Sequence, residues 1–183
     1  AKDHPWTKTN PEYLMQGTEA DIEKYGLQFF RSPQDDGSYR VFAHGRDPNQ
    51  GEWHDTAQLN YANPDLQNAQ IERLRFLAKH ADITGCDVAM LVNKDTFNTT
   101  WGWRMWDGDH YNLDNMEEFW DRATRIVRED AAADGRTIEF MAEAYWGENV
   151  LGPNFDYIYD HRMYERMREV SHNRMHSVEL MDH

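Results

Sequence analysis

Two apolar runs, each interrupted by a carboxylate, constrain the fold of this chain more than any other feature of the sequence. The run 83–92 contains Asp87, and the run 137–146 contains Glu143. Long apolar runs with many β-branched and small residues are typical of strands that are buried on both faces, as in a parallel sheet. Because an ionised carboxylate is costly to bury without a partner, each acid is expected at an exposed strand end or in a functional site.

A helix with one apolar face separates the two runs. It follows a capping-box variant at 114–117, and its apolar residues recur at helical spacing: Phe119, Trp120, Ala123, Ile126 and Val127. A strand, a helix and a strand, with an acid near the carboxyl end of each strand, is the arrangement by which a (β/α) barrel presents catalytic groups. A third strand is predicted at 155–159, and a last amphipathic helix from His161 onward.

The N-terminal third carries many Pro and Gly residues, and residues 1–60 are predicted to be irregular. One exception is a turn signal at 35–38, which favours a hairpin leading into 39–42. A helix is predicted to begin next, with Asn63 as its cap and Pro64 as its first residue. Its buried stripe is predicted to consist of Ile71, Leu74, Leu77 and Ala78. We therefore expect a loop region over 1–62 and an α/β region over 63–183, within a single domain.

Length and charge narrow the functional classes. The chain has 183 residues and a formal net charge of −14, which disfavours nucleic acid and anionic membranes as partners but suits a neutral sugar. No apolar run approaches the roughly 20 residues of a membrane span. The polar opening residues do not resemble a signal peptide, and the single cysteine, Cys86, fits a reducing compartment, so a cytoplasmic location is expected.

Several motifs resemble those of a known enzyme family. The segments CDVAML at 86–91, FMAEAYW at 140–146 and NFDY at 154–157 resemble consecutive barrel-strand motifs of glycoside hydrolase family 13, the α-amylase family. The segment 43–48, with Trp53, 55–56 and 58–61, resembles the long loop that precedes the nucleophile strand in bacterial members. The similarity runs from residue 3 to about residue 166, with the motifs in the family's order.

The resemblance implies a partial TIM (β/α)8 barrel containing about the fourth to sixth strands, with residues 1–62 as the cleft-forming excursion after the third strand. It implies retaining hydrolysis or transfer at α-glucosidic bonds, with an α-glucan as substrate. It assigns Asp87 as the nucleophile and Glu143 as the general acid/base. The substrate-binding candidates in the resembling segments are Trp146, Tyr145, Asn60 and Arg46.

The two acids also have a predicted geometry. Retaining glycosidases hold their carboxyl groups about 5–5.5 Å apart, and neighbouring strands lie about 4.8 Å apart. Asp87 and Glu143 are therefore expected on adjacent parallel strands, within roughly 5–8 Å of each other in an unliganded site. Two such acids push each other's pKa values apart, which is expected to keep Glu143 protonated near neutrality.

The sequence also departs from the family's pattern. The family has an Arg two residues before the nucleophile, where this chain has Gly85, and a Lys-His pair shortly after it, where this chain has Met90 and Leu91. The family's first motif would lie before Ala1 and its third catalytic Asp beyond His183. We therefore expect a fragment that is inactive alone and self-associates through open barrel edges. The alternative is a small α/β domain that binds carbohydrate or a partner protein without catalysis.

Other candidates are open to two interpretations. Trp101, Trp103 and Trp106 are suited to stacking on sugars or to packing, and Trp146 is the best stacking candidate. No cofactor is expected. Calcium is the alternative, because Asp107, Asp109 and Glu118 fall at the first, third and twelfth places of a calcium loop, but Tyr111 and Asn112 occupy places that need an oxygen ligand and a glycine.

Overall fold

The computed structural model describes residues 2–49, 51–104 and 113–182. The chain forms two compact units, one of Ala1–Glu72 with Lys94–Phe119 and one of Arg73–Asn93 with Trp120–His183. These bounds do not coincide with the expected division at residue 62. The described residues form a mixed α/β structure with three small sheets, of which one is parallel, so the expected α/β class is confirmed at this level.

The first unit is built around antiparallel strands. Its three-stranded sheet has the order β1–β3–β2, and a separate two-stranded sheet pairs β4 with β5. The strands are β1 (Gln16–Gly17), β2 (Phe29–Pro33), β3 (Tyr39–Ala43), β4 (Gly45–Asp47) and β5 (Gly51–Trp53). The helices that begin in this unit are α1 (Trp6–Thr9), α2 (Glu19–Tyr25), α3 (Pro64–Ala78), α4 (Lys94–Trp101) and α5 (Phe119–Ala133).

The prediction that residues 1–60 are irregular is wrong. The sheet buries apolar side chains on both faces: Phe30 and Phe42 pack with Leu14 on one side, and Phe29 and Val41 belong to a separate cluster with Met15 and Trp101. Consecutive apolar residues replace the alternation that identifies a strand from sequence. The predicted hairpin is confirmed, since β2 and β3 pair antiparallel across a turn in which Gly37 adopts φ 84°.

Helix α3 begins as predicted. The Asn63 side-chain oxygen accepts a hydrogen bond from the Asp65 amide at 2.8 Å, which satisfies one of the unpaired amides at the helix N-terminus. Ile71 and Ala78 are buried, as expected of its apolar stripe. Leu77, predicted to be in the same stripe, is instead 45% exposed.

The second unit contains the parallel sheet. Strands β6 (Ile83–Cys86), β7 (Glu139–Ala142) and β8 (Tyr157–Ile158) lie in the order β6–β7–β8 and pair in parallel. Helix α5, which belongs to this unit from Trp120 onward, lies between β6 and β7 in the sequence. Helix α6 (Glu148–Leu151) precedes β8, and α7 (His161–Ser171) follows it. The prediction that the two acid-bearing runs lie side by side and parallel is confirmed.

All three strands are shorter than the predicted runs. β6 ends at Cys86 because Val88 adopts a left-handed conformation, and a 3-10 helix follows at Ala89–Val92. β7 is limited to Glu139–Ala142 within the predicted 137–145 strand. β8 is limited to Tyr157–Ile158 within the predicted 155–159 strand.

One face of the parallel sheet carries the core of this unit. Thr84, Cys86, Phe140 and Ala142 are buried there. The rings of Trp120 and Phe155 pack edge to face at 4.9 Å, and Phe155 lies edge-on to Phe140 at 6.5 Å. The Trp120 indole also donates to the Ala89 carbonyl at 2.9 Å. Helix α5 is thereby fixed against this face.

The opposite face is more open. Ile83 and Gly85 on β6 are exposed, and Glu139 and Met141 on β7 are half-buried. Because side chains alternate along a strand, Asp87 and Glu143 continue this open face.

Within residues 2–49, 51–104 and 113–182 the strands form no closed barrel, since β6 and β8 each pair only with β7. In the same ranges, no helix combines the length and the apolarity that crossing a membrane requires.

Candidate functional site

Asp87 and Glu143 follow directly after β6 and β7, at the carboxyl ends of neighbouring parallel strands. The backbone ladder continues past the strands themselves: the Glu143 amide donates to the Cys86 carbonyl, and the Ala89 amide donates to the Glu143 carbonyl, both at 2.9 Å. These two hydrogen bonds bracket Asp87 and hold its backbone against that of Glu143. The site therefore rests on the sheet and not on a free loop.

Val88 gives this edge an unusual backbone. Its φ of 41° and ψ of 46° lie in the left-handed region, where a β-branched residue is a genuine outlier. Such a conformation costs an L-residue about 1–2 kcal/mol. The amide of the same residue makes a hydrogen bond to each of the two carboxyl groups. The strain is thus associated with a donor shared by both acids.

The carboxyl groups of Asp87 and Glu143 are joined by a hydrogen bond. This bond, helped by partial desolvation and by the charge of Glu143, raises the pKa of Asp87 to about 6. The same bond, followed by a hydrogen bond from Tyr145, lowers the pKa of Glu143 below its ordinary value. The directions of these two pKa shifts favour the proton on Asp87 when the pH is below about 6. The lowered pKa of Glu143 runs against the expectation that Glu143 stays protonated near neutrality, because Glu143 also accepts a hydrogen bond from the Tyr145 hydroxyl.

Tyr145 and His161 complete the surroundings of Glu143. The Tyr145 hydroxyl donates to Oε1 of Glu143 at 2.7 Å. The ring of His161, the first residue of α7, packs against the Tyr145 ring at 4.5 Å with an interplanar angle of 51°. Nothing in the sequence pattern marked either His161 or Val88 as part of the site. Val is a poor choice for left-handed backbone, and the contact of His161 is set by tertiary packing alone.

Gly85 lies two residues before Asp87 on the same face of β6. A Cβ at this position would meet only the Met141 methyl group, at 3.9 Å, so there is open space beside the pair. Because residue 85 is a glycine, no side chain from this position lies between the two acids. The hydrogen bond between their carboxyl groups shows that the two acids face each other at this edge of the sheet, as the strand pairing predicts.

Trp146 follows in the loop after β7 and is half-buried. Its indole nitrogen is buried and has no hydrogen-bond acceptor in the described part of the chain. Gly147, next to it, adopts a φ of 76°, and a Cβ there would lie 3.8 Å from that of Met90. The loop therefore runs back along the segment that follows Asp87. A buried indole N–H without an acceptor is uncommon.

The remaining predicted substrate-binding residues lie in the first unit. Asn60 is buried, and its side-chain oxygen has no donor among the described residues. Arg46 donates from Nη1 to the Gln28 side chain at 3.2 Å, and its buried Nε has no acceptor among them either. Asp87, Glu143, Tyr145 and Trp146 all belong to the second unit.

The other tryptophans divide between packing and regions that are not described. Trp101 is buried in the core of the first unit, and Trp103 packs on Tyr25 and donates to the Thr100 carbonyl. Both are packing residues.

Trp106 and the calcium candidates Asp107, Asp109, Tyr111 and Asn112 lie outside the described residues. Glu118 accepts the Lys94 amide at 2.9 Å. In the ranges 2–49, 51–104 and 113–182, no three His, Cys, Asp or Glu residues are grouped to hold a metal ion.

Comparison with known proteins assigns no family. No protein-family model matches the chain, and no curated protein matches it. The chemistry of the site therefore has to be argued from its geometry, which is two carboxyl groups in contact at one sheet edge, an aromatic residue three positions after Glu143, and open space at Gly85.

Proposed function

We propose that this chain is part of an α-amylase-like (β/α)8 barrel and that it binds α-glucan at the edge where Asp87 and Glu143 meet. The observation that carries the proposal is the position of the two acids at the carboxyl ends of adjacent parallel strands. Active sites of (β/α) barrels lie at this end of the strands. The strand order β6–β7–β8 is the order that three consecutive strands of such a barrel would have.

The chemistry of such a site depends on which acid is ionised. Retaining hydrolysis with the resemblance's assignments needs Asp87 as a carboxylate to attack the anomeric carbon and Glu143 as a protonated acid to release the leaving oxygen. In this chain the pKa of Asp87 is raised to about 6, and the pKa of Glu143 is lowered below its ordinary value. These shifts disfavour the required combination of protonation states, so we propose glucan binding with little or no hydrolysis.

Trp146 supports the binding half of this proposal. An indole presents a flat apolar face on which the axial C–H groups of a glucose ring pack, and its N–H needs an acceptor when it is buried. In this chain the indole N–H is buried, so the part of Trp146 that we propose contacts sugar is its ring, which is half-buried. Tyr145 precedes it, with its hydroxyl already engaged by Glu143.

A second candidate is a non-catalytic α/β domain that binds carbohydrate or a partner protein. The contact between the carboxyl groups and the absence of a side chain at Gly85 favour it, because neither is suited to a sugar seated between two acids. The two candidates differ in their ligand, since the first requires selectivity for α-linked glucose.

Titration with maltoheptaose, followed by calorimetry and by tryptophan fluorescence, tests the proposal. We expect weak saturable binding that is abolished in Trp146→Ala and retained in Trp103→Phe, which alters an indole of the first unit. A cellooligosaccharide of equal length serves as the control for linkage. Absence of maltoheptaose binding to folded protein would contradict the proposal, and equal binding of both sugars would favour the second candidate.

A further inference from the structure

The position of the Tyr145 hydroxyl suggests how the acid pair is controlled. We propose that Tyr145, held by the ring of His161, is a positioning residue that fixes Glu143 as the proton acceptor of the pair, so that Asp87 carries the shared proton. This inference deepens the proposed function, because it names the residues that regulate the protonation of the proposed glucan site.

The first step of the argument is the hydrogen-bond inventory of Glu143. Its carboxyl group accepts from the Tyr145 hydroxyl at 2.7 Å, from the Val88 amide and from Asp87. A carboxyl group that accepts several hydrogen bonds favours its ionised form. Asp87 shares the Val88 amide but has no tyrosine. The difference in pKa between the two acids therefore comes largely from the hydrogen bond that the Tyr145 hydroxyl donates to Glu143 and not to Asp87.

The second step is the support of Tyr145. Its ring lies 4.5 Å from the ring of His161. The His161 amide donates to the Tyr159 carbonyl, and its Nε2 lies 3.9 Å from Oε1 of Glu165 one helical turn later. His161 is thus anchored by its backbone, by Glu165 and by Tyr164, whose ring is 6.1 Å away. An anchored aromatic partner restricts the orientation of the Tyr145 ring, and a restricted donor stabilises its acceptor more than a freely rotating one.

The third step is the set of charges that face the pair. Four groups face Glu143. They are Asp87 from the end of β6, Tyr145 from its own loop, the His161 ring from α7 and the Val88 amide. Asp87 faces Glu143 and the same amide. Among the described residues, Tyr145 and His161 act on Glu143 and not on Asp87, and Tyr145 does so through a direct hydrogen bond.

The test is a pH titration of the two carboxyl carbons by NMR, without any sugar. In the wild type, the step at a pH of about 6 should be seen at Asp87, and the lower step at Glu143. In Tyr145→Phe, the proton should be divided between the acids, so that each carbon shows both steps. The Glu143 curve should therefore gain an upper step that it lacks in the wild type.

Two further variants keep the outcome decisive. Tyr164→Phe removes the hydroxyl of another tyrosine whose ring packs near His161, on an exposed residue, and should leave both curves unchanged. His161→Leu removes the ring support and should change the Glu143 curve in the same direction as Tyr145→Phe, by a smaller amount. Unchanged curves in Tyr145→Phe, with a native amide spectrum, would overturn the inference. Failure of maltoheptaose binding would not, since no sugar is present in this experiment.

Discussion

Asp87 and Glu143 are in hydrogen-bond contact at the ends of neighbouring parallel strands, and Glu143 is the ionised member of the pair. A shared proton between two carboxyl groups lowers their mutual repulsion, which explains why both can lie at one sheet edge without a cation from residue 85. Catalysis with Asp87 as the nucleophile would require transfer of this proton away from Asp87.

The first prediction concerns hydrolysis. The chain should not release p-nitrophenol from p-nitrophenyl α-glucoside, nor shorten maltooligosaccharides, because the raised pKa of Asp87 and the lowered pKa of Glu143 disfavour an ionised Asp87 beside a protonated Glu143. The measurement is product release from pH 4 to pH 8. Asp87→Asn is the matched control, and release by the wild type above this control would show that the acids can still act as nucleophile and acid.

A second prediction follows from the open space at Gly85. Gly85→Arg should place a guanidinium group beside Asp87, because the new Cβ meets only the Met141 methyl group at 3.9 Å. A nearby cation favours the ionised carboxylate, so the pKa of Asp87 should fall from about 6 toward its ordinary range. An NMR titration of the Asp87 carboxyl carbon measures this change.

Gly85→Leu is the control for that substitution, since it adds bulk without charge. The leucine should leave the pKa of Asp87 raised, because the hydrogen bond to Glu143 remains. If both variants lower the pKa equally, steric separation of the acids and not charge would be the cause. If neither does, the space beside Gly85 does not lead to Asp87.

The third prediction concerns stability and pH. The pKa of Asp87 is about 6 in the folded chain, against about 3.9 for an unfolded aspartate. A raised pKa means that the folded state binds the proton more tightly, so the stabilisation is complete below about pH 3.9 and is lost as the pH rises through about 6. Asp87→Asn should therefore be more stable than the wild type at pH 7.5, by ~1 kcal/mol once the exposure of Asp87 is allowed for.

Urea denaturation at several pH values between 4 and 8 measures this difference. It should grow as the pH rises from 4 to 7 and then level off. The same substitution in a Glu143→Gln background should show a smaller change with pH, because the partner that raises the pKa of Asp87 is gone. A difference that is constant across the range would mean that Asp87 titrates normally in the folded chain.

The parallel sheet could be predicted from the sequence because its strands are short apolar runs separated by an amphipathic helix. Asn63 likewise gave the start of α3, since capping is a local effect. The first unit could not be predicted in the same way. Phe29 and Phe30 are buried on opposite faces of one sheet, and a strand with two apolar faces does not show the alternation that distinguishes it from a loop.

The site shows the same limit at finer scale. The positions of Asp87 and Glu143 follow from strand period and parallel pairing, which are sequence-level properties. Which of them holds the proton depends on the Tyr145 hydroxyl and on the left-handed Val88, and neither is encoded in a local pattern. A mutual repulsion argument gives the separation of the two pKa values but not its sign, because the sign depends on which acid accepts more hydrogen bonds.

The last prediction concerns association through the open face of the parallel sheet. Ile83 and Tyr157 on this face are 47% and 48% exposed. The Tyr157 hydroxyl donates to the Glu139 carboxylate, and Ile83 pairs with Glu139 in the sheet, so both residues lie on the same face as Glu139. Parallel sheets are normally covered on both faces, and exposed strand edges promote pairing between chains. We therefore expect the chain to self-associate through β6 and β8.

The net charge of −14 should oppose this association at low ionic strength. Salt screens such repulsion, with a Debye length that falls from about 30 Å at 0.01 M to about 3 Å at 1 M. Light scattering across a salt titration should thus show a rising mean mass. Ile83→Lys, which places a charge on the β6 edge, should lower it at every salt concentration, whereas Leu27→Lys, at an exposed position of the first unit, should not. A wild type that stays monomeric and binds no hydrophobic dye at 1 M salt would show that this face is stable in water, since screening at that concentration removes the charge repulsion that would otherwise keep the chains apart.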